Sequence, residues 1–70
     1  MIVFNVKDMT CGHCSAAITS AVLAVDPRAT VHIDLSTQRV EIHPVAADAV
    51  RLAAAIADAG YTPALLASAA

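Results

Sequence analysis

Residues 30–43 of the chain, TVHIDLSTQRVEIH, decide the fold. In each half of this stretch apolar and polar residues alternate with a period of two, which is typical of a strand with one buried face. The three-residue connection at 36–38 is short, so the stretch predicts an antiparallel hairpin with strands over 30–35 and 39–43. The predicted inward-facing residues are Val31, Ile33, Leu35, Val40 and Ile42.

A helical pattern lies on each side of this hairpin. Before it, residues 14–25 carry one apolar helical face, and Pro27 prevents the helix from continuing. After it, residues 46–59 carry a second apolar face, with Asp48 in the predicted first turn and Gly60 as the expected stop. The two predicted buried faces are Cys14, Ile18, Ala21, Val22 and Val25 in the first helix, and Ala49, Leu52, Ala53, Ile56 and Ala59 in the second.

Two further strands complete the pattern. Residues 2–7 alternate in the same way as the hairpin, and residues 63–67 predict a short final strand, which Pro63 places at an edge of the sheet. The last three residues, Ser-Ala-Ala, are expected to fray. The order β-α-β-β-α-β predicts a ferredoxin-like α+β fold, with a four-stranded antiparallel sheet, two helices on one face and the other face open to water. We expect one domain over residues 1–70 and a complete protein.

Composition argues against several classes of protein. The net charge is −2 and basic residues form no cluster, so nucleic-acid binding is not expected. Asn5, Lys7 and Asp8 interrupt the apolar start, which argues against a signal peptide, and no stretch approaches the roughly 20 apolar residues of a membrane span. We therefore expect a soluble cytoplasmic protein without direct membrane insertion. In a reducing compartment, a close cysteine pair is more often metal-binding or redox-active than a structural disulfide.

The segment MTCGHC at residues 9–14 has the sharpest chemical content. Thiolates are soft ligands that select soft metals such as Cu(I), and Gly12, in a loop predicted over 8–13, would let the sulfurs of Cys11 and Cys14 converge. A helix start also stabilises a thiolate through its dipole and unpaired N–H groups. A closed zinc site needs four ligands, whereas Cu(I) tolerates two and leaves room for ligand exchange. A dithiol redox site is the alternative, but that fold is longer and usually has an aromatic residue beside the motif.

Neighbouring residues leave alternatives open. Met9 is either a third, thioether ligand or a core residue that anchors the loop. His13 is a transient ligand, a charge that tunes the thiolates or an exposed side chain. Thr10 and Ser15 either donate to the sulfurs or only cap the helix. His32 and His43 are expected on the open sheet face, away from the loop, as surface residues or as a second metal site.

These residues resemble a known family. The segment at 9–14 matches the Met-x-Cys-x-x-Cys pattern of the heavy-metal-associated domain, and Ala-Gly-Tyr at 59–61 is similar to the end of that family's second helix. The likeness covers nearly the whole chain and is greatest to the bacterial copper chaperones. It implies that Cys11 and Cys14 are the metal ligands and that Tyr61 lies in a loop facing the metal.

The resemblance also implies a function. The chain would carry Cu(I) and pass it by ligand exchange to a copper-transporting P-type ATPase or a copper-responsive regulator. No substrate bond is made or broken, so no enzymatic activity is expected. A metal-bridged homodimer stays open, as do two other functions: a metal-sensing regulatory domain of a heavy-metal ATPase, and a carrier of Zn, Cd, Hg or Ag. Thr10 is similar to copper-type members. Asp8 departs from the family's usual glycine, and its carboxylate either biases the site toward a divalent ion or is solvated.

Overall fold

The computed structural model describes residues 1–10 and 12–68. Its elements are β1 (Ile2–Val6), α1 (Gly12–Val25), β2 (Thr30–Asp34), β3 (Arg39–His43), α2 (Ala49–Asp58) and β4 (Pro63–Ser68). The four strands form one antiparallel sheet in the order β2-β3-β1-β4. The predicted ferredoxin-like α+β fold is confirmed, and β4 lies at an edge as Pro63 indicated.

The core lies between the two helices and one face of the sheet. In the central strands, Phe4 pairs with Val40 and Ile2 with Ile42, so that alternate apolar side chains stack on the helix side. The buried residues that pack together are Ile2, Phe4, Val6, Met9, Ile18, Val22, Val40, Ile42, Ala47, Leu52 and Ile56. The strand alternation and the helical periodicity therefore place their apolar faces against each other.

The sheet differs from the prediction at its margins. Val31 and Ile33 are only half-buried because β2 is an edge strand, and Leu35 is exposed because it lies in the turn after β2. Val3 is buried although it lies on the face away from the helices, where its neighbours on both sides, β3 and β4, flank it. Ser68, expected to fray, pairs with Ile2 as the last residue of β4, and the rest of that prediction lies outside the described residues.

Both helices begin at a different residue from the one predicted. Helix α1 begins at Gly12, within the segment predicted as loop. Helix α2 begins only at Ala49, and Asp48 is its N-cap instead of a first-turn residue: its carboxylate accepts the N–H of Arg51 at 2.9 Å. Helix α2 ends before Gly60 as expected, with that glycine at a φ of +99°.

The late start of α2 follows from the buried side chain of Asp26. One oxygen of this carboxylate accepts the N–H groups of Val45, Ala46 and Ala47 at 2.8, 2.9 and 3.0 Å. These hydrogen bonds, led by those from Ala47 and Ala46, hold the pKa of Asp26 below its ordinary value. Asp26 therefore holds residues 45–47 as a loop, although residues 46 and 47 were predicted to lie in the helix.

The inner faces of the helices agree with the prediction except near the end of α2. Ile18 and Val22 of α1 are fully buried, as are Leu52 and Ile56 of α2. Ala59, expected on the buried face, is exposed because it is already the C-cap of α2.

Candidate metal site

The segment that leads into α1 leaves the sheet from β1, a central strand, and its base is fixed on one side by the turn between β2 and β3. The N–H of Val6 donates to the carbonyl of Gln38 at 2.8 Å, and the side-chain amide of Gln38 donates to the carbonyl of Lys7 at 2.8 Å. The N–H of Met9 then donates back to the carbonyl of Val6 at 3.1 Å, which closes a tight turn. Residues 7–10 are thus held close to the end of the sheet.

The other side of this segment is tied to the loop between α2 and β4. The carboxylate of Asp8 accepts the N–H of Thr62 at 3.2 Å, across 54 positions of sequence. Asp8 is exposed, and its carboxylate joins the two loops. The sequence analysis expected this carboxylate either to bias the site toward a divalent ion or to be solvated, and did not anticipate the contact.

Met9 anchors the segment in the core. Its side chain is 0% exposed and belongs to the core cluster together with Phe4, Ile18 and Ile56. This burial agrees with the interpretation of Met9 as the residue that holds the loop down. A role for its sulfur as a third ligand stays a prediction.

Cys14 lies in the first turn of α1, as predicted. It is half-buried and packs against the core cluster, at the positive end of the helix dipole, which favours the thiolate. The hydroxyl of Ser15 donates to the carbonyl of Gly12 at 3.0 Å, so its proton serves the backbone and not a sulfur. Cys11 lies outside the described residues, and its pairing with Cys14 stays a prediction.

Gly12 does not have the role that the sequence suggested. It lies in α1, its φ is not in the left-handed region, and a Cβ built on it would meet nothing within 4 Å. The prediction that this position needs the conformational freedom of glycine is therefore wrong. Because the helix has already begun here, residue 12 has ordinary helical backbone.

The remaining predicted residues differ in depth and in position. Thr10 and His13 are exposed. Tyr61 is half-buried against the core cluster, and its N–H donates to the carbonyl of Ile56 at 3.3 Å at the end of α2. The two other histidines, His32 and His43, are exposed on the sheet face, and within residues 1–10 and 12–68 no three His, Cys, Asp or Glu side chains come close enough together to hold a metal.

Two contributors to this site were missed by the sequence analysis. Gln38 adopts a φ of +58°, which is uncommon for a residue other than glycine, and this turn conformation presents both its carbonyl and its amide to the end of β1. Thr62 contributes only a backbone N–H, which no sequence pattern can identify. The contact between Asp8 and Thr62 had one sign in the sequence, namely that Asp8 stands where the family usually has glycine.

Comparison with known proteins decides the family. The model of the heavy-metal-associated domain matches residues 3–62. The chain belongs to the heavy-metal-associated domain family. No curated protein sequence matches this domain significantly. In the part of the chain that the structure describes, no helix combines the length and apolar character needed to cross a membrane.

Several solved structures share the fold of this heavy-metal-associated domain. A His61Tyr mutant of the copper chaperone Atx1 from Synechocystis PCC6803, in a trimeric form, is 38% identical over 91% of this chain and 100% of its own, with a TM-score of 0.88. A gold binding protein is 33% identical over 94% of this chain and 100% of its own, also with a TM-score of 0.88. A protein of Agrobacterium tumefaciens is 43% identical over 86% of this chain and 92% of its own, with a TM-score of 0.77.

Proposed function

We propose that this heavy-metal-associated domain is a cytoplasmic copper chaperone, which carries Cu(I) between the thiolates of Cys11 and Cys14 and passes it to a partner protein. The observation that carries the proposal is the position of Cys14 in the first turn of α1, three residues after Cys11, in a domain 38% identical to the copper chaperone Atx1. Two thiolates suit a soft monovalent ion, and a helix start keeps them ionised.

Transfer proceeds by ligand exchange. A thiolate of the partner attacks the bound Cu(I), which becomes three-coordinate, and one sulfur of the chaperone then leaves as a thiolate. A second exchange of the same kind completes the transfer, in the way that thiol–disulfide exchange passes through a mixed species. The copper stays Cu(I) throughout and no substrate bond is cleaved, so the chain acts as a carrier and not as an enzyme.

Competition against a chromophoric Cu(I) chelator tests the paired site. The double variant Cys11→Ser/Cys14→Ser should lose at least about a hundredfold in Cu(I) affinity, because hydroxyl oxygens are hard ligands. A matched control, Cys14→Ala/Ser20→Cys, keeps two thiols but moves the second by about 9 Å along α1. It should bind as weakly as the double serine variant. Wild-type affinity equal to that of either variant would end the proposal.

The proposed recipient is the metal-binding domain of a copper-transporting P-type ATPase, with a copper-responsive regulator as the second candidate. The exposed residues at this end of the molecule, Lys7, Asp8 and His13, have mixed charge, so docking should depend only weakly on salt. Mixing the Cu(I)-loaded chain with an apo ATPase domain and separating the two by ion exchange should recover copper on both proteins. Copper found only on the original carrier would argue against that recipient.

A carrier of another soft metal is the second candidate function, because the gold binding protein is 33% identical to the chain. Native mass spectrometry after loading with equimolar Cu(I), Ag(I) and Zn(II) compares the metals directly and reports a metal-bridged homodimer in the same spectrum. We expect one Cu(I) per chain as the main species. A main species holding Ag(I) or Zn(II) in the presence of Cu(I) would assign the chain to a different cargo.

A further inference from the structure

We propose that Asp8 is a positioning residue, which holds the Tyr61–Thr62 loop beside the cysteine segment (residues 7–14) and thereby slows the release of the metal. The proposal rests on the proposed function, since it concerns metal held at Cys11 and Cys14. The contact that carries it is the hydrogen bond from the N–H of Thr62 to the carboxylate of Asp8, at 3.2 Å.

The position of Asp8 makes this contact effective. Asp8 lies in the tight turn after β1, between two residues that are already fixed: Met9 is buried in the core, and the carbonyl of Lys7 accepts a hydrogen bond from the Gln38 side chain. The carboxylate therefore projects from a rigid base, three residues before Cys11. A hydrogen bond to an ionised acceptor is stronger than one between neutral groups, so the bond can hold a loop even at an exposed site.

The loop that Asp8 holds is also attached to the end of α2. The N–H of Tyr61 donates to the carbonyl of Ile56, and that of Gly60 donates to the carbonyl of Ala57. The next residue, Pro63, has no N–H and begins β4 opposite Val6. Thr62 thus supplies the last backbone donor before the sheet, and Asp8 receives it.

Tyr61 connects this contact to the metal. Its ring is half-buried against the core cluster, which also contains Met9 and contacts Cys14. With residue 62 held by Asp8 and residue 61 held by the end of α2, the backbone that carries the ring is restrained next to the turn that contains Asp8. Loosening the loop would open that side of the site to solvent and to competing ligands, so the metal would leave faster.

Three variants test the proposal. Asp8→Ala removes the acceptor, Asp8→Asn keeps a neutral acceptor oxygen, and Asp58→Ala removes an exposed carboxylate from α2 with the same change in net charge. Amide hydrogen exchange of Thr62 in the metal-free protein reports the contact itself. Tyr61 is the sole tyrosine and the chain has no tryptophan, so fluorescence anisotropy reports the mobility of its ring without a second emitter. Stopped-flow transfer of Cu(I) to an excess of chelator reports release.

We expect Asp8→Ala to speed both Thr62 exchange and Cu(I) release by about three- to tenfold, the effect of losing one hydrogen bond at a solvent-exposed position. Asp8→Asn should lie between this variant and the wild type, and Asp58→Ala should match the wild type. Unchanged Thr62 exchange in Asp8→Ala overturns the proposed contact, and faster exchange with unchanged Cu(I) release overturns its effect on the metal. The exchange and anisotropy measurements need no copper, so they test the contact between Asp8 and Thr62 independently of metal binding. Failure of the wild type to bind Cu(I) would count against the proposed function only.

Discussion

Replacing Met9 separates its two possible roles, as a core anchor and as a metal ligand. The side chain is 0% exposed, and a Met→Ala change at such a position costs about 2–5 kcal/mol in the free energy of unfolding. A 70-residue domain has a total of about 4–10 kcal/mol, so Met9→Ala removes a large part of it. Met9→Leu keeps the volume, removes the sulfur and should cost less than about 1.5 kcal/mol.

Urea unfolding and Cu(I) competition, measured on the same variants, check this prediction. With a slope of about 1 kcal/mol/M, Met9→Ala should lower the urea midpoint by about 2–5 M. Met9→Leu should keep both the midpoint, to within about 1.5 M, and the Cu(I) affinity, to within about threefold. Leu52→Ala is the control: this residue is equally buried, but it lies in α2, so it should lose stability without losing affinity while folded.

Two results would refute this reasoning. A loss of tenfold or more in Cu(I) affinity for Met9→Leu, with the urea midpoint retained, would make the thioether a ligand. A loss below about 1 kcal/mol for Met9→Ala would mean that the position relaxes around the missing atoms and does not anchor the loop.

Four other substitutions have expected outcomes. Asp26→Asn should lower the free energy of unfolding at pH 7, because hydrogen bonds from Ala47, Ala46 and Val45 lower the folded-state pKa of Asp26. The wild type keeps this contribution above the unfolded-state pKa near 3.8 and loses it as the pH falls further. Plotted against pH, the urea-unfolding free energies of the two proteins should therefore converge in acid, and parallel curves would contradict this. Gly60→Ala should cost about 1 kcal/mol in thermal unfolding, because the φ of Gly60 is +99°. Gly12→Ala, in open space within α1, should leave the stability unchanged or raise it by up to about 1 kcal/mol. Equal effects of the two substitutions would be inconsistent with the backbone described. Asp48→Ala removes the N-cap of α2 and should cost about 1 kcal/mol, while a change below about 0.3 kcal/mol in urea unfolding would show that water replaces the cap.

Local patterns predicted the strands well. The alternation in β1, β2 and β3 placed their bounds within about one residue, because a strand with one buried face must alternate at every position. The bounds of β4 were predicted equally closely, although its sequence does not alternate. Gly60 was also predictable, since the helix stop and the left-handed backbone are properties of one residue.

The start of α2 depends on a group that is distant in sequence, and local patterns missed it. The carboxylate of Asp26 lies about twenty positions from the amides that it binds, and its effect is to delay α2 to Ala49. In the same way, the contact from Asp8 to Thr62 spans 54 positions and involves a backbone donor, to which no residue type corresponds. The cysteine motif was recognisable from its spacing, but the bonds that hold its base had to be observed.

The attachment of the cysteine segment to β1 determines which local opening motions of the sheet can affect the segment. Transient opening of a sheet begins at its outermost strands, and here those are β2 and β4. The segment is attached to an inner strand and held by the buried side chain of Met9, so local opening of the outer strands should not detach it. Substitutions that loosen β2 only locally should therefore speed amide exchange in that strand without shortening the time for which the cargo is retained.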